Sequence, residues 1–158
     1  MRKRVVNEGE IVVRKYQLYL IKDEFAAHYF GRERMFFKLF QEHDKAEGEL
    51  KFITKRQIKY ITKSLEVLKI HQLIQKQLGK KKGFRAESGT YSMEISGRLS
   101  VAKLQVFQDF IYVEATGSYE AETVFFEVLR KCEASFLALD MEHQRFGWLK
   151  PIKERKYV

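Results

Sequence analysis

Three consecutive segments in the second half of the chain alternate apolar and polar residues, and this pattern constrains the fold most. Thr90–Ser96, Ser100–Phe107 and Phe110–Thr116 are rich in Val, Ile, Tyr and Phe, which is typical of β-strands with one buried face. Short turns at Gly97-Arg98 and Gln108-Asp109 would connect them as an antiparallel meander. The apolar face of such a sheet must pack against another layer, which the rest of the chain has to provide.

We expect helices to provide this cover. Tyr119–Lys131 is the clearest helix, because its apolar residues recur at a helical spacing, and we expect its acidic residues to form a solvated face. Upstream, the pattern predicts one strand, Tyr16–Ile21, and several helices with a polar loop at residues 42–52. Four helices are predicted here: one from Asp23 to about Gly31, one from Arg32 to about Gln41, one from the cap residue Thr54 to about Tyr60, and one from the cap residue Ser64 to about Gly79.

The residues near the C-terminus predict a final hairpin formed by Phe136–Asp140 and Arg145–Leu149. The predicted fold class is therefore α+β: a single domain with a mostly antiparallel or mixed β-sheet covered by helices. A chain of 158 residues is long enough to enclose one hydrophobic core. We expect residues 1–13 to be a flexible N-terminal leader, because they lack a periodic apolar pattern, and residues 14–158 to form the globular domain.

The chain is basic, with a net charge of +9, and seven of these nine charges arise within the first 79 residues. A basic domain can bind nucleic acid, an anionic membrane surface or an acidic protein face. Composition does not choose among these partners. The turn at Lys80–Lys82 adds a further basic group. No apolar run approaches the roughly 18 residues that a membrane span requires, so we expect no membrane partner.

Residues with catalytic or metal-binding chemistry form no recognisable motif. The four histidines lack a metal-ligand spacing, and a single cysteine excludes a disulfide within the chain. We expect Cys132 to be an inert core thiol, and a dyad with His143 has no support. The sequence therefore predicts no enzyme, no cofactor, no metal site and no small-molecule substrate. The low cysteine count and the absence of an apolar signal segment favour the cytoplasm.

The first predicted helix carries two apolar stripes, Phe25 with Tyr29 and Ala26 with Phe30. Aromatic residues at a helical spacing usually belong to the core. However, a short helix on a sheet buries one stripe more easily than two, and aromatic residues with a polar rim are common at the centres of protein interfaces. The residues alone leave both interpretations open.

Several long blocks of the sequence occur in the same order in one known protein family. The blocks are Tyr19–Glu33, Ile53–Thr62, Gly117–Lys131, Phe136–Asp140 and Arg145–Arg155. They resemble the SirA family, the sporulation inhibitors of replication of endospore-forming bacteria, and the resemblance covers about residues 15–158. The sequence departs from the family pattern in the leader, at about residues 41–52 and at about residues 78–111.

The resemblance implies a non-enzymatic regulator that binds the N-terminal domain of the replication initiator DnaA and blocks new rounds of initiation. The family's binding surface corresponds here to Phe25, Tyr29 and Gln57, which favours the exposed interpretation of the aromatic stripe. Around this surface we expect a basic rim that includes Arg32, Arg34 and Arg56 and that would mainly speed the encounter with an acidic face of the partner. The alternative is a basic nucleic-acid-binding protein that acts directly on DNA. The nearly neutral second half and the lack of a nucleic-acid-binding motif disfavour it.

Overall fold

The computed structural model describes residues 12–150, which form eight strands and five helices. The strands are β1 (Arg14–Ile21), β2 (Thr62–Lys63), β3 (Phe84–Glu87), β4 (Thr90–Ile95), β5 (Ser100–Val106), β6 (Ile111–Gly117), β7 (Phe136–Asp140) and β8 (Arg145–Trp148). The helices are α1 (Asp23–His28), α2 (Arg34–Lys45), α3 (Gly48–Ile61), α4 (Val67–Leu78) and α5 (Glu120–Cys132). Of the predicted leader, residues 1–11 lie outside the described residues, and Val12 and Val13 precede β1. Residues 151–158 of the predicted domain also lie outside them.

The strands form one antiparallel sheet in the order β3-β4-β5-β6-β1-β7-β8, and β2 pairs with the end of β1. The predicted meander is confirmed as β4, β5 and β6, and the predicted hairpin is confirmed as β7 and β8. Strands β2 and β3 were not predicted from the sequence, and β3 extends the meander at the edge of the sheet. The fold class is α+β, as predicted.

The central strand β1 buries its two faces in two different hydrophobic cores. Leu18 and Leu20 belong to the larger core, in which α4 and α5 pack against the meander. Ile21 belongs to a smaller core on the opposite face, together with residues of α1, α2, α3 and β7. Because successive side chains of a strand point to opposite faces, helices cover both sides of the sheet at β1. The smaller core is the support for α1.

The predicted loop at residues 42–52 is wrong, because most of this stretch is helical. α2 continues to Lys45, and α3 begins at Gly48. The polar residues of this region form the solvated faces of two amphipathic helices, while three phenylalanines of α2 are buried in the smaller core. Near the end of α2, the ammonium group of Lys51 donates a hydrogen bond of 2.7 Å to the carbonyl oxygen of His43. Polarity alone therefore did not distinguish a loop from a helix surface.

Thr54 does not cap a helix as predicted, because it is buried in the middle of α3. Its hydroxyl lies 3.0 Å from the carbonyl oxygen of Leu50 and 2.8 Å from Nδ1 of His43 in α2. A threonine inside a helix can donate its hydroxyl to the preceding turn, which leaves its oxygen free to accept from the histidine. Thr54 therefore connects α3 to α2.

Ser64 also does not cap a helix, since α4 begins at Val67. The backbone N–H of Leu65 donates a hydrogen bond of 2.8 Å to the carbonyl oxygen of Gln108, in the turn between β5 and β6. The side-chain amide of Gln108 donates to the carbonyl oxygen of Leu65 at 3.4 Å. These bonds hold the chain against the sheet, so the helix starts only after them. The end of α4 before Gly79 is confirmed.

The solvated acidic face predicted for α5 is wrong at Glu122, which is 1% exposed. Its carboxylate accepts hydrogen bonds from Nε of Arg14 at 3.0 Å and from Nη2 at 2.5 Å. The Arg14 guanidinium also donates to the carbonyl oxygens of Gly117 and Ser118. A buried carboxylate requires a charged or hydrogen-bonding partner. This bidentate ion pair joins the start of the central strand to the first turn of α5.

Removal of one partner of this buried ion pair should destabilise the fold strongly. In Glu122→Ala the Arg14 guanidinium loses its carboxylate, and we expect the free energy of unfolding to fall by about 3 kcal/mol. Chemical denaturation measures this loss. The matched control is Glu127→Ala, which breaks an exposed ion pair with Arg130 and should change the free energy of unfolding by less than about 1 kcal/mol. Equal losses of unfolding free energy in the two variants would contradict a stabilising role for the buried ion pair of Arg14 with Glu122.

Gly117 ends β6 with a φ of +78°, and a Cβ at this position would overlap the carbonyl oxygen of Leu99. Gly117→Ala should therefore lower the free energy of unfolding by about 3 kcal/mol or more, because backbone strain and steric overlap act together. Gly97→Ala is the control, since Gly97 has a φ of +69° but open space around its Cβ. That variant should lose only about 1 to 2 kcal/mol through strain. Thermal denaturation compares the stability of the two variants. Similar losses would show that the backbone around residue 117 shifts to relieve the overlap with Leu99.

Candidate protein-binding surface

Helix α1 has only six residues and presents aromatic side chains at the edge of the smaller core. It ends at His28, so the predicted extension to Phe30 is not helical. Ala26 is buried, whereas Phe25 and Tyr29 pack against the smaller core and remain partly exposed. Phe30, which was predicted to share a stripe with Ala26, follows the helix and is 41% exposed. The two predicted stripes therefore do not separate into one buried and one exposed face.

Helix α3 brings Tyr60 beside α1. The rings of Phe25 and Tyr60 meet edge to face, with centroids 5.3 Å apart, and Tyr60 is 67% exposed. Gln57 is exposed and lies three residues before Tyr60, so both occupy the same side of α3. Of the three residues indicated by the resemblance, Phe25 lies on α1, Tyr29 follows the end of α1 directly, and Gln57 lies on α3. We refer to the following group as the aromatic surface: Phe25, Tyr29, Gln57 and Tyr60.

Two cations lie over rings of the aromatic surface. The guanidinium carbon of Arg32 is 5.2 Å from the ring centroid of Tyr29, and Nζ of Lys22 is 5.1 Å from that of Tyr60. Both distances are within the range of cation–π attraction. Arg32, one of the predicted rim residues, therefore contacts the aromatic surface. Lys22 was not predicted as part of the rim.

The other two predicted rim residues lie farther along the helices. Arg56 is exposed on α3, next to Gln57 in sequence, and its guanidinium carbon is 5.8 Å from the ring centroid of Phe52. Phe52 is itself 61% exposed. Arg34 is exposed at the first residue of α2. Arg56 and Phe52 extend the exposed face of α3 toward its N-terminus.

A carboxylate holds the turn between α1 and α2. Oε1 of Glu33 accepts hydrogen bonds from the backbone N–H of Gly31 at 3.0 Å and from the indole N–H of Trp148 at 3.2 Å. The Trp148 ring packs on Phe36, and Phe36 packs edge to face against Tyr29. Burial raises the pKa of Glu33, but hydrogen bonds from its own N–H, Gly31 and Trp148 together bring the pKa below its usual value. The carboxylate is therefore ionised at neutral pH.

Besides Lys22, three residues near this surface were not predicted from the sequence. Tyr60 carried a usable signal, because it follows Gln57 by one helical turn within a block that resembles the family. Phe52 fell in the segment assigned to a loop. Trp148 could not be found from the sequence, because its partner Glu33 is 115 residues away.

Other chemically versatile side chains make structural contacts. Nδ1 of His71 is 2.6 Å from the Tyr91 hydroxyl, and Nδ1 of His143 is 3.0 Å from a carboxylate oxygen of Asp140. Burial raises the pKa of the partly buried Cys132 thiol, which disfavours the reactive thiolate. Across the described part of the chain, no three His, Cys, Asp or Glu side chains gather as metal ligands, and no helix there combines the length and apolarity of a membrane span.

Comparison with known proteins identifies the family. The sequence model of the family described as "Sporulation inhibitor of replication protein SirA" matches residues 14–153, which include every residue of the aromatic surface. A curated protein of that name from Bacillus subtilis (strain 168) is 42% identical over 147 residues, covering 92% of this chain and 99% of the relative. On the strength of a match across nearly its whole length, this chain belongs to the SirA family.

Proposed function

We propose that this protein inhibits DNA replication during sporulation by binding the N-terminal domain of the initiator DnaA through the aromatic surface. The name of the Bacillus subtilis relative supports the inhibitory role. The proposed partner follows from the family resemblance. The observation that carries the binding surface is the contact between partly buried Phe25 and exposed Tyr60, which places two helices side by side with aromatic rings outward.

The aromatic surface is suited to docking because its rings are already ordered. Phe25 and Tyr29 pack on the smaller core from below, and Tyr60 is held between the Phe25 ring and the Lys22 ammonium group. Side chains that are fixed before binding lose less conformational entropy when a partner covers them. Partly buried aromatic residues with a polar rim are also the usual anchors of protein interfaces.

Polar groups at the aromatic surface would fix the orientation of the partner. The side-chain amide of Gln57 offers a donor and an acceptor, and the hydroxyl of Tyr29 offers both functions on one atom. Two apolar rings alone would permit sliding, whereas directional hydrogen bonds select one register. Inhibition would follow by occupancy, because a bound inhibitor covers a surface that the initiator needs for assembly or for other partners. The proposed mechanism requires binding and no catalytic step.

Truncation of an anchor ring should weaken binding without unfolding the protein. For Phe25→Ala and for Tyr60→Ala we expect the Kd for the DnaA N-terminal domain to rise at least about 30-fold, which corresponds to about 2 kcal/mol. Calorimetric titration measures the Kd, and circular dichroism checks the fold. The matched control is Leu99→Ala, which removes a 72% exposed apolar side chain in the meander turn and should leave the Kd unchanged.

The same titration distinguishes the proposal from direct action on DNA. Origin DNA without protein partner is the parallel titrant, and a nucleic-acid-binding protein would bind it with an affinity that falls steeply as salt is added. Tight, salt-sensitive binding to DNA, together with no heat on addition of the DnaA domain, would overturn the proposed partner. Unchanged affinity of Phe25→Ala and Tyr60→Ala for the domain would overturn only the proposed surface.

The basic rim should act mainly on the rate of association. Arg34→Gln and Arg56→Gln each remove one exposed positive charge, and we expect a lower association rate constant and a weaker salt dependence, with a nearly unchanged dissociation rate. Surface plasmon resonance at two salt concentrations measures both rates. Lys103→Gln, on an exposed position of the meander, is the control of equal charge. A dissociation rate that rises strongly in Arg56→Gln would instead place this residue inside the interface.

A further inference from the structure

A single carboxylate oxygen connects the exposed turn after α1 to the sheet. Oε1 of Glu33 receives two hydrogen bonds, one from Gly31 within the turn and one from Trp148 in β8. The first bond closes the turn on itself, and the second joins the turn to an element 115 residues away in sequence. Hydrogen bonds to an ionised acceptor are stronger than neutral ones, and the Glu33 carboxylate is ionised at neutral pH.

The same tryptophan also supports Tyr29 from behind. The ring centroids of Trp148 and Phe36 are 6.1 Å apart, and those of Phe36 and Tyr29 are 5.3 Å apart, both in edge-to-face arrangement. The three rings therefore form a continuous series of edge-to-face contacts from the sheet to the aromatic surface. Phe36 contacts both of the other rings, so a displacement of the Trp148 indole would shift Phe36 and, through it, Tyr29.

The turn needs such external support because α1 is too short to hold itself. A helix of six residues has few internal hydrogen bonds and is not stable alone. No side-chain hydrogen bond caps its start. After α1 the chain reverses at Gly31, whose φ of +80° is left-handed, and the backbone N–H of Arg32 donates to the carbonyl oxygen of Tyr29 at 2.7 Å. Contacts between this turn and the rest of the protein therefore determine the positions of Tyr29 and Arg32.

We propose that Glu33 and Trp148 are positioning residues, which hold the turn that carries Tyr29 and Arg32 in the geometry required for partner binding. This inference rests on the proposed function, because it assigns the residues to the same surface. Neither residue needs to touch the partner. Their role is to fix the turn before binding, so that the partner does not have to order it.

The test compares variants that remove the bridging bonds with a variant that keeps them. Glu33→Ala removes the acceptor, and Trp148→Phe removes the indole donor but retains an aromatic ring against Phe36. Glu33→Gln keeps an amide oxygen that can accept both bonds. Glu49→Ala is the matched control, since Glu49 is an exposed glutamate in the first turn of α3.

We expect the Kd for the DnaA N-terminal domain to rise about tenfold in Glu33→Ala and Trp148→Phe, and to stay near wild type in Glu33→Gln and Glu49→Ala. Calorimetry measures the Kd. Because the chain has one tryptophan, its indole N–H gives one NMR signal in the isotope-labelled free protein. Hydrogen exchange of this N–H should accelerate in Glu33→Ala and not in Glu33→Gln, with little change in Tm.

Each outcome of this experiment is decisive. If Phe25→Ala loses affinity but Glu33→Ala and Trp148→Phe bind like wild type, the positioning role is overturned and the proposed function stands. If Glu33→Gln is as weak as Glu33→Ala while Trp148→Phe binds like wild type, the loss follows the negative charge and not the bridging bond, which also overturns the inference. If Glu33→Gln and Trp148→Phe are both weak, the bridge requires the ionised acceptor and the inference stands. If the wild-type protein does not bind the domain, both proposals fail together.

Discussion

The central strand β1 has to bury both of its faces, and this requirement organises the rest of the molecule. Its even-numbered apolar residues enter the larger core under α4 and α5, while Ile21 enters the smaller core under α1, α2 and α3. The buried pair of Arg14 with Glu122 then fixes the start of the same strand to α5. One strand therefore links the scaffold on one side of the sheet to the helices that carry the aromatic surface on the other.

The exposure of Phe25 and Tyr29 follows from this arrangement. α1 starts almost directly after β1 and has six residues, so it can turn only a narrow face toward the sheet. Ala26 occupies that face, and the larger rings are left at its margin, where α3 supports Phe25 through Tyr60 and α2 supports Tyr29 through Phe36. A small residue at the buried position thus allows large residues to remain available at the surface.

The parts of the fold that sequence could predict are those with strong local periodicity. The meander, the final hairpin and α5 were predicted because their apolar residues repeat over many positions. The helical stretch around Gly48 was not, since its polar residues resemble a loop until the packing of α2 is known. Glu122 and Trp148 depend on partners more than 100 residues away, which no local pattern reveals. For the candidate surface, the resemblance indicated Phe25, Tyr29 and Gln57, and the structure supplied Tyr60 through its contact with Phe25.

The two edges of the sheet have a consequence for how this protein can recognise others. Within residues 12–150 the outermost strands of the sheet are β3 and β8, which have four residues each and carry exposed charges at Arg85, Glu87 and Arg145. Short, charged edges discourage the addition of a further strand. β-Augmentation, in which a partner's backbone extends the sheet, is therefore a poor mode of recognition for this fold. The proposed aromatic surface avoids this mode, because side chains of helices and not backbone groups would determine which partner is accepted.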